Sequence, residues 1–258
     1  MHSYAATSRH QSRILGAIAF AAAFAAIGTY YAFRWLIIET RPTVDAGAYS
    51  WLIGPLTLTG YYSLFLSIFD RYLWRFLSEI PYVGGTWAGC TQPNYQEWTH
   101  LSVLKVEQSW STIYVELSHF WRGRGDAHWS TSKRLGRDQS GTAALSGKRV
   151  NEANFTFSYQ HKGVKSGQAD FDGTMALIVD FEGRRLQGKY YTNRPSLVDG
   201  SVCSYGHVIL YKLSDDLLPA EQALKSFIEN EELLSAAVRE VADMAGREKE
   251  GDKEVLRR

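Results

Sequence analysis

The chain has 258 residues, enough for one large domain or for a membrane module followed by a domain of ordinary size. Hydrophobic residues make up 45% of it and aromatics 14%, ample for a packed core, and eight Trp with fifteen Tyr favour strands. A net charge of +1 provides no field for drawing in a nucleic-acid polymer or an acidic surface, so neither DNA nor RNA is expected as a partner.

The apolar residues are concentrated before Phe76. Ile14 to Phe33 reads ILGAIAFAAAFAAIGTYYAF, an uncharged run of about 20 residues, the length that crosses a hydrocarbon core. Arg13 and Arg34 flank it, where long side chains snorkel to headgroups. The run is too long for a signal peptide and lacks a clear small-residue cleavage site before Glu39. A second uncharged run, Ala46 to Phe69, follows after a short connection containing Pro42. Two transmembrane helices are therefore expected, about 14–36 and 48–70, in an antiparallel hairpin that fills residues 1–78. Arg9, Arg13, Arg71 and Arg75 on one side against Arg34 and Arg41 on the other favour a cytoplasmic main domain. Ala21/Ala25, Ala22/Ala26 and Gly28/Ala32 are small-xxx-small pairs, which either close the hairpin on itself or allow self-association between chains.

Asp70 to Glu79 reads as the frayed helix end and a linker, and Pro81 with Gly84-Gly85 marks a boundary. Beyond it the period becomes two. In Thr112 to Ser118, Ile113, Val115 and Leu117 share one face and Tyr114 and Glu116 the other. Further strands are predicted over Trp87–Cys90, Glu97–Glu107, His128–Leu135, Asn154–Gln160, Thr174–Phe181, Arg185–Thr192 and Val202–Leu213, separated by turns such as Asp172-Gly173 and Glu182-Gly183. Eight short strands without intervening helices predict a sandwich or a small, lipocalin-like β-barrel over residues 79–213. Such a barrel has room for one small ligand. Cys90 and Cys203 fall on the first and last of these strands, where closure could make them neighbours, reduced in the cytosol or able to pair in the periplasm. From Pro219, Leu224, Phe227, Ile228, Leu234, Val238 and Val241 recur at three and four, predicting an amphipathic helix within a C-terminal region of 214–258. It either packs on the barrel or pairs with another chain. The charged stretch Arg247 to Arg258 predicts disorder. The expected fold is thus a membrane-anchored all-β protein with a two-helix hairpin, an eight-stranded barrel and a C-terminal helix.

No catalytic constellation is legible. The seven His show no HExxH spacing, two Cys make no CxxC pair, and there is no GxSxG elbow, P-loop or dinucleotide fingerprint. No enzyme activity, metal or cofactor is expected; a binding function is.

The stretch VEQSWSTIYVELSHFWRGRGDAHWSTS, then Gly173-Thr174, then LQGKYYTNRPSLVDGSV, together with Gly85-Thr86-Trp87-Ala88-Gly89 and the two preceding helices, resembles one family across residues 10–213. These are the CBASS antiphage effectors with two transmembrane helices and a β-strand-rich domain, called SMODS-associating 2TM-β effectors. The resemblance rests on the order of the segments rather than on any single motif. It implies a barrel that binds a cyclic dinucleotide, oligomerisation of the membrane helices in the bilayer, disruption of the bacterial inner membrane, and abortive infection. Two other readings stay open: a membrane-tethered, lipocalin-like binder of a hydrophobic ligand, and an assembly protein that uses the barrel and C-terminal helix for protein contacts.

A cyclic dinucleotide offers two phosphates and two flat bases. Within the family-like segments, Arg194 is the first candidate for phosphate, with Asn193 and Thr192 as neutral donors. Tyr191 and Trp110 are the stacking candidates, and Ser109, Ser111 and Thr112 can bond phosphate or ribose. Arg122 and Arg124 of the WRGRGD stretch are placed at a barrel mouth. Equally, Trp110 suits a core position at a strand bend and Arg122 to Arg124 an ordinary turn. Pro195 follows Arg194 where the family pattern has a glycine-rich hairpin, which biases Arg194 toward extended backbone.

Overall fold

The computed structural model describes residues 8–40, 47–77, 81–94, 99–121, 133–146, 153–163, 171–180, 182–193 and 203–255. The chain divides into a helical unit, Ala5–Ser78, and a barrel unit over Glu79–Arg258.

In the helical unit, α1 spans Ser8–Thr40 and α2 spans Gly47–Ile68. Ala and Ile dominate α1, and Pro42 in the following connection opposes its continuation. Within α1, residues Ser12–Leu36 are long and apolar enough to cross a membrane. Ile18, Ala22 and Ala26 form a buried stripe four residues apart, and Thr29 extends it with a 2.7 Å hydrogen bond to Tyr61 of α2. The Ala22/Ala26 pair is thus used inside the hairpin, whereas Ala21, Gly28 and Ala32 are exposed, as are Phe20, Phe24 and Tyr31. The sequence reading of Asp70 to Glu79 as a frayed end is corrected: Phe69–Leu73 forms a π-helical turn and α3, Trp74–Leu77, continues it.

The barrel unit contains β1 (Gly85–Pro93), β2 (His100–Gln108), β3 (Ile113–Trp121), β4 (Lys133–Ser146), β5 (Ala153–Gly163), β6 (Phe171–Val179), β7 (Arg185–Thr192) and β8 (Ser204–Ser214). Each strand pairs antiparallel with the next, and β8 pairs back to β1, closing the barrel. The alternation read in β3 holds: Ile113, Val115 and Leu117 are buried inward and Tyr114 is exposed. Glu116, on the outer face, is nonetheless buried and forms a 2.8 Å ion pair with Lys105 across the β2–β3 register. The interior near the entry end, where the chain arrives at Gly85, is filled by Trp87, Leu104, Leu117, Phe155, Leu177 and Leu210.

Strand β1 is buried on both faces because two helices cover the outside of the barrel there. Pro219 precedes α4 (Ala220–Glu229), and Asn230 breaks the helix and caps α5 (Glu231–Val255) by accepting a 3.0 Å hydrogen bond from the Leu233 N–H. Ala220, Ala223, Leu224, Phe227, Ala237 and Val241 pack on Ala88, Cys90, Leu101, Val103 and Ile209. The apolar stripe read in the tail therefore covers this barrel's own wall. α5 continues past Arg247 to Val255, through part of the stretch where disorder is expected. Its charged residues are mainly Arg, Glu and Lys, which favour helix nearly as well as Leu.

The cysteines are not neighbours. Cys90 lies under the helices opposite Ile209, and Cys203 is exposed at the other end of β8, six residues away, roughly 20 Å along a strand. Neither is in a disulfide.

Candidate functional site

The two ends of the barrel differ in chemistry. At the entry end, Lys212 of β8 lies over the rings of Tyr82 and Trp87, 4.7 and 5.5 Å from their centroids, and pairs with Asp215. The Trp87 indole N–H donates to the Val83 carbonyl at 2.9 Å. The Gln108 side chain accepts from the Val83 N–H at 2.7 Å and donates to the Pro81 carbonyl at 3.1 Å. The chain thus doubles back across its own barrel end and is held there by buried hydrogen bonds.

At the far end, strands β3, β5 and β7 finish and the interior becomes polar and aromatic. Thr91 Oγ1 lies 2.7 Å from Ser102 Oγ, which lies 2.8 Å from His119 Nδ1. Thr192 Oγ1 and Ser204 Oγ are 2.7 Å apart across β7 and β8. His161 stacks on Phe171, ring centroids 4.4 Å apart at 19°. Tyr159 lies flat over Gly173, and Tyr190 over Gly206; a Cβ at either glycine would run into the ring beside it. These glycines let two large rings lie against the wall instead of across the bore. The far end of the bore, termed the mouth, is lined by mostly buried hydroxyls, imidazoles and aromatic rings, group types that hydrogen-bond to or stack on a polar, ring-bearing ligand.

The residues singled out from sequence separate between these ends. Ser109, Trp110, Ser111 and Thr112 form the β2–β3 turn at the entry end. The Ser109 hydroxyl accepts from the N–H groups of Ser111 (3.3 Å) and Thr112 (3.1 Å) and lies 3.0 Å from Thr112 Oγ1. Those hydroxyls build the turn. Trp110 is 7% exposed, so its faces are already covered by protein, as the core reading of it expects. β3, nine residues and roughly 30 Å long at full extension, separates this group from the far mouth.

Tyr191, Thr192 and Asn193 lie at the far end on successive positions. Thr192 points inward and is buried, whereas Tyr191 points outward, 47% exposed, with its ring 6.4 Å from that of Tyr205. Two adjacent strand residues cannot line one bore together. Asn193 extends the β6–β7 ladder: its N–H donates to the Asp172 carbonyl and its Oδ1 accepts from the Asp172 N–H, both at 3.0 Å. Arg122, Arg124 and Arg194 lie outside the described residues; β3 and β7, which precede them, end at the far mouth.

Sequence reasoning missed Tyr159, His161, Phe171, His119 and Tyr190, because inward orientation follows from register rather than composition. The readable signal was the alternation Phe155-Phe157-Tyr159-His161, whose inward side chains change from apolar to polar toward the mouth. Ser102 and His119 form a hydroxyl–imidazole pair, but Ser102 is 1% exposed and also bonds Thr91, so its oxygen is not presented to a substrate. Among the described residues no group of three His, Cys, Asp or Glu is placed to hold a metal.

No protein-family profile matches the chain, and no curated protein matches its sequence.

Proposed function

We propose that this protein is a membrane-anchored receptor of the CBASS effector kind, whose lipocalin-like barrel takes a cyclic dinucleotide at its far mouth. The observation that carries the reading is the two-ended barrel: packed and hydrogen-bonded at the entry end, polar and aromatic at the mouth, in a chain whose α1 is long and apolar enough to cross a bilayer. The uncharged α2 is the second span in this reading, which makes the chain multi-pass in the bacterial inner membrane with its barrel in the cytoplasm. Arg194, Arg122 and Arg124 meet the phosphates by paired hydrogen bonds, and aromatic faces at the mouth stack on the bases. Binding then drives self-association of the hairpins, disruption of the membrane and abortive infection. No enzymatic step is required.

The entry-end interior, with Ile113, Val115 and Leu117, suits a hydrophobic guest, but packed side chains already occupy it. The assembly reading is weakened because α4 and α5 lay their apolar stripe on the barrel.

The test is thermal denaturation of the full chain in detergent with a panel of cyclic dinucleotides, since a ligand that binds only the folded state raises its melting temperature. A rise with one compound, lost in Arg194→Ala, is expected. A folded protein indifferent to every compound would end the receptor reading for that ligand class.

A further inference from the structure

A second binding site lies outside the barrel. A groove of about 580 Å3 runs between the outer face of β5–β8 and the C-terminal half of α5, within the size range of small-molecule pockets. The register puts Thr156, Ala176, Lys189 and His207 in one row across the four strands, with Asn154 and Ile178 in the next. Ala176 keeps the floor low. Tyr191 stands exposed at one side.

The roof comes from α5. Glu240 accepts a 3.0 Å hydrogen bond from the Tyr211 hydroxyl and a 3.1 Å bond from Arg185, which fixes the helix on the barrel. Met244 and Arg247 follow Glu240 by four and seven residues, so they share its face and are carried over the groove. The described lining holds two cations, Lys189 and Arg247, and a histidine, but no carboxylate. Ile178, Met244 and the ring of Tyr191 supply apolar surface beside them.

We propose that this groove binds a small organic anion with a flat apolar body, its acidic group held by Lys189 and Arg247 and its body lying on Ala176 and Ile178 under Met244. The site is independent of the mouth, because its residues are on the outer face of the strands. A ligand there bridges the barrel wall to α5, and occupancy tightens the hold on that helix.

The probe is 2-naphthyl phosphate, titrated calorimetrically into the full-length protein in nonionic detergent, with inorganic phosphate and 2-naphthol as separate arms. Saturable binding is expected for the naphthyl phosphate, at least tenfold tighter than for either fragment. Lys189→Ala and Arg247→Ala each weaken it about tenfold. Ala176→Leu, which raises the floor at an exposed position, removes it, and the probe slows hydrogen exchange in α5 near Met244. The proposal is overturned by no binding at millimolar probe, by inorganic phosphate binding as tightly, or by affinity unchanged in both Ala176→Leu and Arg247→Ala. Binding lost only in Arg194→Ala would place the probe at the mouth and also overturn it, while leaving the receptor reading intact.

Discussion

Phe227→Ala tests whether the C-terminal helices are part of the barrel's core. Phe227 is fully buried between α4 and the apolar outer wall formed by Ala88, Cys90, Leu101 and Val103. A buried Phe removes roughly 150–250 Å2 from water, and at about 25 cal/mol per Å2 that burial contributes roughly 4–6 kcal/mol. Alanine keeps part of this area, but the cavity it leaves adds a cost, so the expected loss is about 3–5 kcal/mol. For a unit of about 180 residues each kcal/mol lowers the melting temperature by roughly 2–4 °C, so the midpoint should fall by roughly 6–20 °C. Thermal unfolding of the full chain, followed by tryptophan fluorescence, reads this directly. Phe227→Leu, which fills most of the space, should recover more than half. A loss under about 1 kcal/mol in the alanine variant would mean that α4 is not packed on the wall and that the covered outer face is wrong.

Gly89→Ala places a Cβ against the Ile209 carbonyl and 2.8 Å from Leu210 Cα, backbone atoms that cannot step aside, so the β1–β8 closure should fail and yield little folded protein; Gly28→Ala, with nothing within 4 Å, should express and melt like the parent. Burial pushes the Cys90 thiol from 9.0 up to about 12, so the unfolded chain releases this proton first as pH rises. Stability from this group is intact below pH 9 and declines from 9 toward 12, by at most about 1.4 kcal/mol per pH unit. The gap between parent and Cys90→Ala unfolding midpoints should therefore shift steadily above pH 9, and a pH-independent gap contradicts the burial. Burial, and after it the bond to Glu240, holds the Tyr211 pKa up at about 12, and Tyr211→Phe removes that bond. Because Tyr211 is only partly buried, the stability cost should be about 1 kcal/mol, read as faster hydrogen exchange in α5 with the strands unchanged.

The fold was more legible than the site. β7 is read at its observed ends, Arg185 and Thr192, because the Glu182-Gly183 turn precedes it and the strand formers Tyr190, Tyr191 and Thr192 close it. β4 was the poorest: the predicted His128–Leu135 overlaps the observed Lys133–Ser146 only at its start. GRDQSGTAALS has little strand propensity and is a strand because β3 and β5 pair with it on both sides, a tertiary cause invisible in its own residues. The candidate site suffered from a related blindness. Residues close in sequence, such as Ser109 to Thr112, were grouped with Tyr191 to Asn193 by chemistry, and only the up-and-down path of the strands shows that the two groups occupy opposite ends. Hydroxyls that looked available to a ligand were already bonded within a turn.

The plug of Lys212, Tyr82 and Trp87 has a kinetic consequence. For a guest inside the barrel, as proposed above, the closed entry end bars that route, so arrival and departure both use the far end. A second molecule cannot push the first out from behind, and exchange must wait for spontaneous exit. Competitors added in excess would then leave the dissociation rate unaltered, and the lifetime of the occupied state would be governed by the groups at the far end.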